Sequence, residues 1–388
     1  MNKKYNVIDL FAGAGGFGLG FYMNEYNILC SVEIDKWASE TLQHNFNHKV
    51  INDSIINYSD TKSIISAITD KPDVIIGGPP CQGFSNAGKK DIHDPRNKMY
   101  LHFHKWVDVL KPKIFVIENV KGILNFKNPE GDKVIDEIKA RFTESGYTLN
   151  VWQLNSQNYG VPQSRERVFI VGHLGGIKIP RPESTHSNNV DDLLPKCLTV
   201  DDAISDLPFI RAKEGAEELE YDKESVNEYQ TNCRKKSQKV YNHEAMKHTD
   251  RMVLRYQHII EGNSLETIGN DLKVRKRNGN GEISDVKFSL NYRYLKPNSP
   301  SYTIPAHFYS SFIHPFIPRN ITTREAARIQ SFPDWYKFCG KRTMISSKLL
   351  KRLGKDEELN HLSQYNQVGN AVPPLLASAI ANHLKNYL

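Results

Sequence analysis

Asn6-Val7-Ile8-Asp9-Leu10-Phe11-Ala12-Gly13-Ala14-Gly15-Gly16-Phe17-Gly18 is an apolar run of strand length that breaks into glycines and then into a helical pattern. Gly13, Gly15 and Gly18 satisfy G-x-G-x-x-G. Such a loop lets a ligand approach the backbone and presents the unpaired N–H groups of a helix start to an anion. Working outward, Glu33 closes the second apolar run, 20 residues after Gly13, where a carboxylate accepts hydrogen bonds from ribose hydroxyls. The pair reads as a site for an adenosine-containing cofactor, against the plainer alternative of a glycine-rich structural turn. Pyrophosphate of NAD and the carboxylate of S-adenosylmethionine would both suit the helix start, so the glycines alone leave the cofactor open.

From the start to about residue 172, short apolar runs alternate with longer amphipathic stretches, the pattern of βα units around a parallel sheet. Strands are predicted at Asn6–Leu10, Ile28–Glu33, Asp73–Gly77, Ile114–Glu118, Leu149–Leu154 and Arg167–Val171, with helices at Lys36–Phe46, Lys98–Leu110 and Asp132–Ser145, the last stopped by Gly146. The expected fold class is α/β, doubly wound. From Pro180 the texture changes: prolines interrupt the chain, periodicity weakens and polar residues crowd in. Order returns at Thr322-Thr323-Arg324-Glu325, a capping box opening a helix over Arg324–Ser331 with Pro333 beyond it, and a last helix is predicted over Pro374–Tyr387. The expected organisation is a catalytic, cofactor-binding domain over 1–178 completed by 360–388, and a smaller irregular domain over 179–359.

The chain has 388 residues, about two domains' worth, and a formal charge of +7. That excess permits attraction to nucleic acid without naming a partner. No apolar run approaches the length needed to cross a bilayer, and Asp9 interrupts the one N-terminal stretch that imitates a signal peptide. Cys30, Cys81, Cys197, Cys233 and Cys339 are odd in number and widely spaced, which fits a reduced, cytoplasmic compartment and neither a disulfide framework nor a metal knuckle.

One cysteine stands apart. Gly77-Gly78-Pro79-Pro80-Cys81-Gln82-Gly83-Phe84-Ser85 follows a predicted strand, and ligands of a doubly wound sheet bind at the carboxyl ends of its strands. Two prolines fix the approach and flanking glycines allow close contact, which suits a thiol held against a planar substrate, and a thiolate needs a helix end or a cation nearby. Glu118 ends the next strand in Glu118-Asn119-Val120 and is expected in the same crevice, where a protonated carboxyl would donate to a ring nitrogen; an ordinary strand-end carboxylate is the alternative. In Gln163-Ser164-Arg165-Glu166-Arg167 the two arginines face one side of an extended chain and would hold a phosphate or carbonyl oxygen, unless they form a surface ladder with Glu166. Two basic clusters, Cys233-Arg234-Lys235-Lys236 and Lys273-Val274-Arg275-Lys276-Arg277, lie in the middle segment, where solvated surface is the ordinary reading.

With these motifs in order, the chain resembles the DNA (cytosine-5)-methyltransferases, especially those of bacterial restriction–modification systems. Asp9-Leu10-Phe11-Ala12-Gly13-Ala14-Gly15-Gly16 resembles the family's cofactor loop, Gly78-Pro79-Pro80-Cys81-Gln82 its nucleophile loop, Glu118-Asn119-Val120 its acid motif and Gln163-x-Arg165-x-Arg167 its arginine motif. Arg324-Glu325-Ala326-Ala327-Arg328-Ile329-Gln330-Ser331-Phe332-Pro333 and Gln367-Val368-Gly369-Asn370-Ala371-Val372-Pro373-Pro374 resemble the last two. One departure is Ile34, where several relatives carry an aromatic residue. The resemblance implies S-adenosylmethionine held by Phe11, Gly13, Gly15, Glu33, Ile34, Asp53 and Asn370, with Asp53 meeting the adenine amino group.

It also implies the chemistry: the Cys81 thiolate adds to cytosine carbon 6, Glu118 protonates N3, carbon 5 takes the methyl group, and loss of its proton expels Cys81. Arg167 would hold cytosine O2 and Arg165 would support phosphate or the cysteine loop. A stacked base is out of reach, so the target is flipped out of duplex DNA. Lys273, Arg275, Lys276 and Arg277 are then candidate phosphate contacts. A monomer without metal is expected, with a cognate endonuclease as possible partner. A transfer-RNA cytosine methyltransferase and a non-catalytic DNA-binding relative are the alternatives; the intact Cys81, Glu118, Arg165 and Arg167 speak against the second.

Overall fold

A computed structural model describes residues 4–80, 94–276, 281–284, 292–344, 347–354 and 361–388; Cys81 and Arg277 lie outside the described residues. The N-terminal part alternates β1 (Asn6–Leu10), α1 (Gly16–Met23), β2 (Asn27–Val32), α2 (Lys36–Asn45), β3 (Lys49–Ile51), α3 (Thr61–Ala67), β4 (Val74–Gly77), α4 (Tyr100–Leu110), β5 (Ile114–Asn119), α5 (Val134–Glu144), β6 (Tyr147–Asn155) and β7 (Glu166–Leu174). These strands form one seven-stranded sheet in the order β3-β2-β1-β4-β5-β7-β6. The expected strands and helices are present with ends shifted by a few residues. β3, only three residues long, and α3, opened by an Asp60/Ser63 capping box, carry too little periodicity to be read from sequence.

The first five strands are parallel, as expected, but β7 runs antiparallel to both β5 and β6. The cause is the connection. Only residues 156–165 join β6 to β7, short of the dozen or so that a parallel crossover requires, so the chain turns back and inserts β7 beside β5.

Alternation along the strands sends side chains to two faces. Ile8, Leu10, Ile75, Phe115 and Ile117 pack with Ile64, Phe103, Trp106, Ile138 and Phe142 of α3, α4 and α5. Val7, Val74, Ile76, Val116 and Phe169 pack on the opposite side with Phe17 and Phe21 of α1 and with residues from the far end of the chain. That end is α12 (Pro374–Leu384), which lies so close to α1 that a Cβ on Gly20 would stand 2.3 Å from Ala377 Cβ. Asn24 donates to Ser378 Oγ at 2.8 Å and the Tyr26 hydroxyl to the Ala381 carbonyl at 2.9 Å.

The intervening chain holds α6 (Val200–Ile204), β8 (Gly215–Glu220), α7 (Glu228–Arg234), β9 (Lys239–Glu244), α8 (Asp250–Ile260), the short strands β10 (Arg293–Tyr294) and β11 (Phe312–Ile313), α9 (Thr323–Ile329), α10 (Ser347–Arg352) and α11 (Gln364–Asn370). β8 and β9 pair antiparallel; β10 and β11 pair parallel. The predicted capping box at α9 is present, with Thr322 accepting from Glu325 N–H and Glu325 from Thr322 N–H. All of α9 is buried, in an apolar cluster that joins Val200 and Ile204 to Ala14, Leu42 and Tyr365. Charged groups here are paired: Arg319, just before α9, grips Glu325 through two guanidinium nitrogens at 2.8 and 2.7 Å, and Arg328 within the helix binds Asp334 at 2.5 and 2.7 Å and Asp206 at 3.0 Å. These buried pairs are satisfied on both sides, the condition under which a charge is tolerated in an interior.

Candidate active site

The carboxyl ends of β1 and β2 carry the glycine loop and Glu33. Phe11 and Gly13 adopt positive φ (56° and 54°), and Gly15, at φ 75°, caps the N-terminus of α1. A side chain at Gly15 would also meet Leu42 at 2.5 Å, so both backbone and space require glycine. Glu33 is 8% exposed, and its oxygens accept from Gly13 N–H at 2.7 Å and Asp35 N–H at 2.8 Å. Burial pushes its carboxyl above the usual range. Ile34 beside it is 68% exposed, an uncovered apolar side chain at the rim. Asn52 donates to the carbonyls of Glu33 and Ile34, each at 3.0 Å, which brings the end of β3 and Asp53 to the same place. Asp53 accepts from Ser54 N–H and Asn57, both at 2.7 Å. A Cβ on Gly13 would meet nothing within 4 Å, so the loop opens onto free space. A glycine loop with room above it, a carboxylate beside it and an apolar cover fit a nucleoside cofactor.

Asp9 carries no signal of its own in the sequence beyond its place in the loop motif. It is buried beneath the loop, where Oδ2 accepts from Gly18 N–H at 3.1 Å and Oδ1 has no hydrogen-bond partner among the described residues. Burial pushes its carboxyl up to about 8.

At the ends of β4 and β5 the chain rises through Gly78-Pro79-Pro80 toward Cys81, which lies outside the described residues. Glu118 Oε2 would be 3.3 Å from a Cβ on Gly78, so the carboxylate faces that turn. Its Oε1 pairs with Arg167 Nε at 3.0 Å, and both side chains are 14% exposed. Glu118 is therefore an ion-pair partner of Arg167, and the arginine ladder with Glu166 does not form: Glu166 pairs instead with Lys121 at 2.9 Å. Asn119 is buried and its amide faces the Pro79 carbonyl at 3.5 Å.

Arg165 is buried and donates to the carbonyls of Ile304 at 2.9 Å and Gly369 at 3.2 Å. It binds the strand to two distant segments, while Arg167 turns to Glu118. Gln163 extends this lock, donating to Gln330 Oε1 and accepting from Ile304 N–H, both at 2.7 Å, while Gln330 donates to the Val368 carbonyl at 2.8 Å. Sequence reasoning passes over both glutamines; their presence in the arginine motif and the α9 motif is the available signal. Asn370 ends α11 and is exposed, next to Ala371, whose Cβ approaches the start of α1.

The basic candidates lie elsewhere. Val274–Lys276 lies antiparallel to Glu282–Ser284, with Arg275 opposite Ile283; Arg275 donates to the Gly281 carbonyl at 2.7 Å and Lys276 pairs with Glu282 at 3.0 Å. Arg275 and Lys276 are exposed and Lys273 is half-buried. In the other cluster Cys233 is buried and Arg234 turns inward to Asp206 at 2.7 Å. Cys30 and Cys233 are buried thiols pushed up to about 12, and no disulfide links any described cysteine.

A doubly wound sheet with an inserted antiparallel strand, a glycine loop and carboxylate on β1 and β2, and a Glu–Arg pair facing Gly78 just past the end of β4 define an S-adenosylmethionine-dependent methyltransferase fold. The family model for C-5 cytosine-specific DNA methylases matches residues 5–386, and the chain belongs to this family; it is a DNA (cytosine-5)-methyltransferase. It is 45% identical to the type II methyltransferase M.DdeI of Desulfomicrobium norvegicum, over 98% of this chain and 89% of the relative. Against the type II methyltransferase M1.HphI of Haemophilus parahaemolyticus, identity is 34% over 96% of this chain and 85% of the relative. Among solved structures, a candidate DNA modification methyltransferase encoded within an E. coli prophage superposes with a TM-score of 0.70 at 26% identity, covering 99% of both chains. The S. pombe Dnmt2 methyltransferase shares the fold, with a TM-score of 0.57 at 15% identity.

Proposed function

We propose that this chain methylates carbon 5 of a flipped-out cytosine in a specific duplex DNA site and so protects that site in a type II restriction–modification system. The observation that carries the reading is Glu118, paired with Arg167 at 3.0 Å and facing the turn that leads into Cys81, on the sheet edge that also bears the glycine loop. As the base enters, Glu118 leaves its ion pair with Arg167, takes up a proton from solvent and donates it to cytosine N3, and the released Arg167 turns to cytosine O2. Protonation at N3 and addition of the Cys81 thiolate at carbon 6 make carbon 5 nucleophilic; loss of the carbon-5 proton then releases the thiolate. S-adenosylmethionine supplies the methyl group. Gly13, Gly15 and Phe11 would hold its methionine end, Glu33 its ribose, Ile34 and Asp53 its adenine, and Asn370 closes the site from α11.

The segment 179–359 carries target recognition, with Lys273, Arg275, Lys276 and Arg277 on phosphates, and 1–178 with 360–388 carries catalysis. The chain acts as a cytoplasmic monomer beside an endonuclease of the same specificity. No helix among the described residues is long and apolar enough to cross a membrane. Bisulfite sequencing of DNA from cells expressing the chain tests the proposal: a single recurrent sequence context protected from conversion is expected, and it disappears with Cys81→Ala. Tritium transferred from labelled S-adenosylmethionine to transfer RNA, and none to duplex DNA, would refute it.

A further inference from the structure

Three side chains hold the glycine loop from beneath. Glu33 takes the Gly13 N–H, Asp9 takes the Gly18 N–H, and the Tyr336 hydroxyl donates to the Ala14 carbonyl at 2.6 Å. The first two lie on the strands that flank the loop. Tyr336 reaches it from 322 residues away and is fully buried. Its oxygen lies 2.9 Å from where a Cβ on Gly15 would stand. The Gly15 N–H closes a turn on the Ala12 carbonyl at 2.8 Å, and Gly15 caps α1. The hydroxyl therefore fixes the one peptide unit, Ala14 to Gly15, at which the loop becomes a helix.

Tyr336 is itself held in place. Its ring packs on Phe46, Phe332 and Phe338, and its carbonyl accepts from Arg324 at 2.5 Å. Asp334, two residues before it, is gripped by Arg328 and by the Tyr221 hydroxyl. The ring cannot withdraw without breaking these interactions.

We propose that Tyr336 is a positioning residue for the cofactor, acting through the Ala14 carbonyl to keep the glycine loop in its binding conformation. The inference rests on reading that loop as the S-adenosylmethionine site. Replacing the hydroxyl by hydrogen leaves the ring and its packing intact but frees the turn, so a ligand must then order it on binding.

The test compares the full chain with Tyr336→Phe and with Tyr147→Phe, which removes a buried hydroxyl-to-carbonyl bond of the same kind, 2.8 Å to Pro112, far from the loop in the fold. S-adenosylhomocysteine binding is measured by calorimetry, and amide hydrogen exchange is followed over residues 11–19. Tyr336→Phe should weaken binding about five- to tenfold and raise KM for S-adenosylmethionine to match, with kcat at saturation within about twofold. Loop amides should exchange faster in this variant, while Tyr147→Phe leaves binding and loop exchange as in the parent. Unchanged binding in Tyr336→Phe, or equal weakening in both variants, would overturn the inference while leaving the cofactor reading intact. A parent chain that binds neither S-adenosylmethionine nor S-adenosylhomocysteine would overturn the reading of the loop and the inference together.

Discussion

His314 makes this enzyme acid-labile at one identifiable point. Its Nδ1 accepts two backbone N–H groups, of Phe316 and Ile317, each at 3.1 Å, so that nitrogen has no place for a proton. Nε2 faces Glu325 at 3.5 Å, but this carboxylate is already committed to Arg319, so the contact involves a neutral ring rather than an ion pair. Burial, then the positive charges of Arg319 and Lys223 with His243 adding to them, outweigh the attraction of Glu325 and push the imidazole down to about 3. The unfolded chain binds a proton at the ordinary value near 6.5, so stability is full above that pH and is lost as pH falls toward 3. At about 1.4 kcal/mol per pH unit, lowering the pH from about 6.5 to about 4.5 costs about 3 kcal/mol at this residue.

His248 and His48, both pushed down to about 4 by burial, act in the same direction, so the measurement must be a difference. His314→Asn removes the titration and keeps an acceptor where Nδ1 stood. Urea unfolding of parent and variant at about pH 7 and about pH 4.5 should show the gap between them moving by about 3 kcal/mol in favour of the variant. A gap that stays within about 0.5 kcal/mol across that range would refute the assignment, because the other histidines cancel.

Asp9 predicts the opposite trend. With its carboxyl raised to about 8, the folded chain retains a proton that the unfolded chain releases near 4, so its contribution falls as pH rises from about 4 to about 8. Asp9→Asn should flatten the melting temperature over that window, and an unaltered slope would count against a buried protonated acid. Glu118→Gln should reduce methyl transfer by at least about a hundredfold with little change in KM for S-adenosylmethionine; turnover near the parent level would remove Glu118 from proton transfer. Neutralising Lys273, Arg275, Lys276 and Arg277 should weaken DNA binding and lower the slope of log K against log salt by about one for each phosphate no longer neutralised. If the slope is unmoved, the Lys273–Arg277 cluster is solvated surface.

Much of the site is legible in the sequence because its signals are local. Gly13, Gly15 and Glu33 declare themselves by spacing and strand ends, and Glu118 and Pro79-Pro80 by their place after apolar runs; each lies where expected on the sheet edge. The direction of β7 is not legible from its apolar pattern, because alternation is the same in either sense and only the length of the preceding connection decides. Nor is the function of Tyr336, Gln163 or Gln330, whose partners lie 322, 167 and 38 residues away in sequence. Arg234 shows the same limit from the other side: in sequence it belongs to a basic surface run, and in space it closes on Asp206. Arg328, buried with two carboxylates, reads in sequence as an ordinary charged helix residue.

The pairing of α1 with α12 sets a clock on biosynthesis. At roughly 5–20 residues per second, the ribosome needs roughly 20 to 70 s to pass from the end of α1 to the start of α12. Throughout that interval the nascent chain lacks the cover for Phe17, Phe21, Ile28 and Val116, an apolar face that in the finished molecule meets Leu376, Ile380 and Leu384. The helix that follows the glycine loop therefore waits for a partner translated long after it. A chain interrupted before α12 leaves that apolar face of the sheet open to chaperones and proteases.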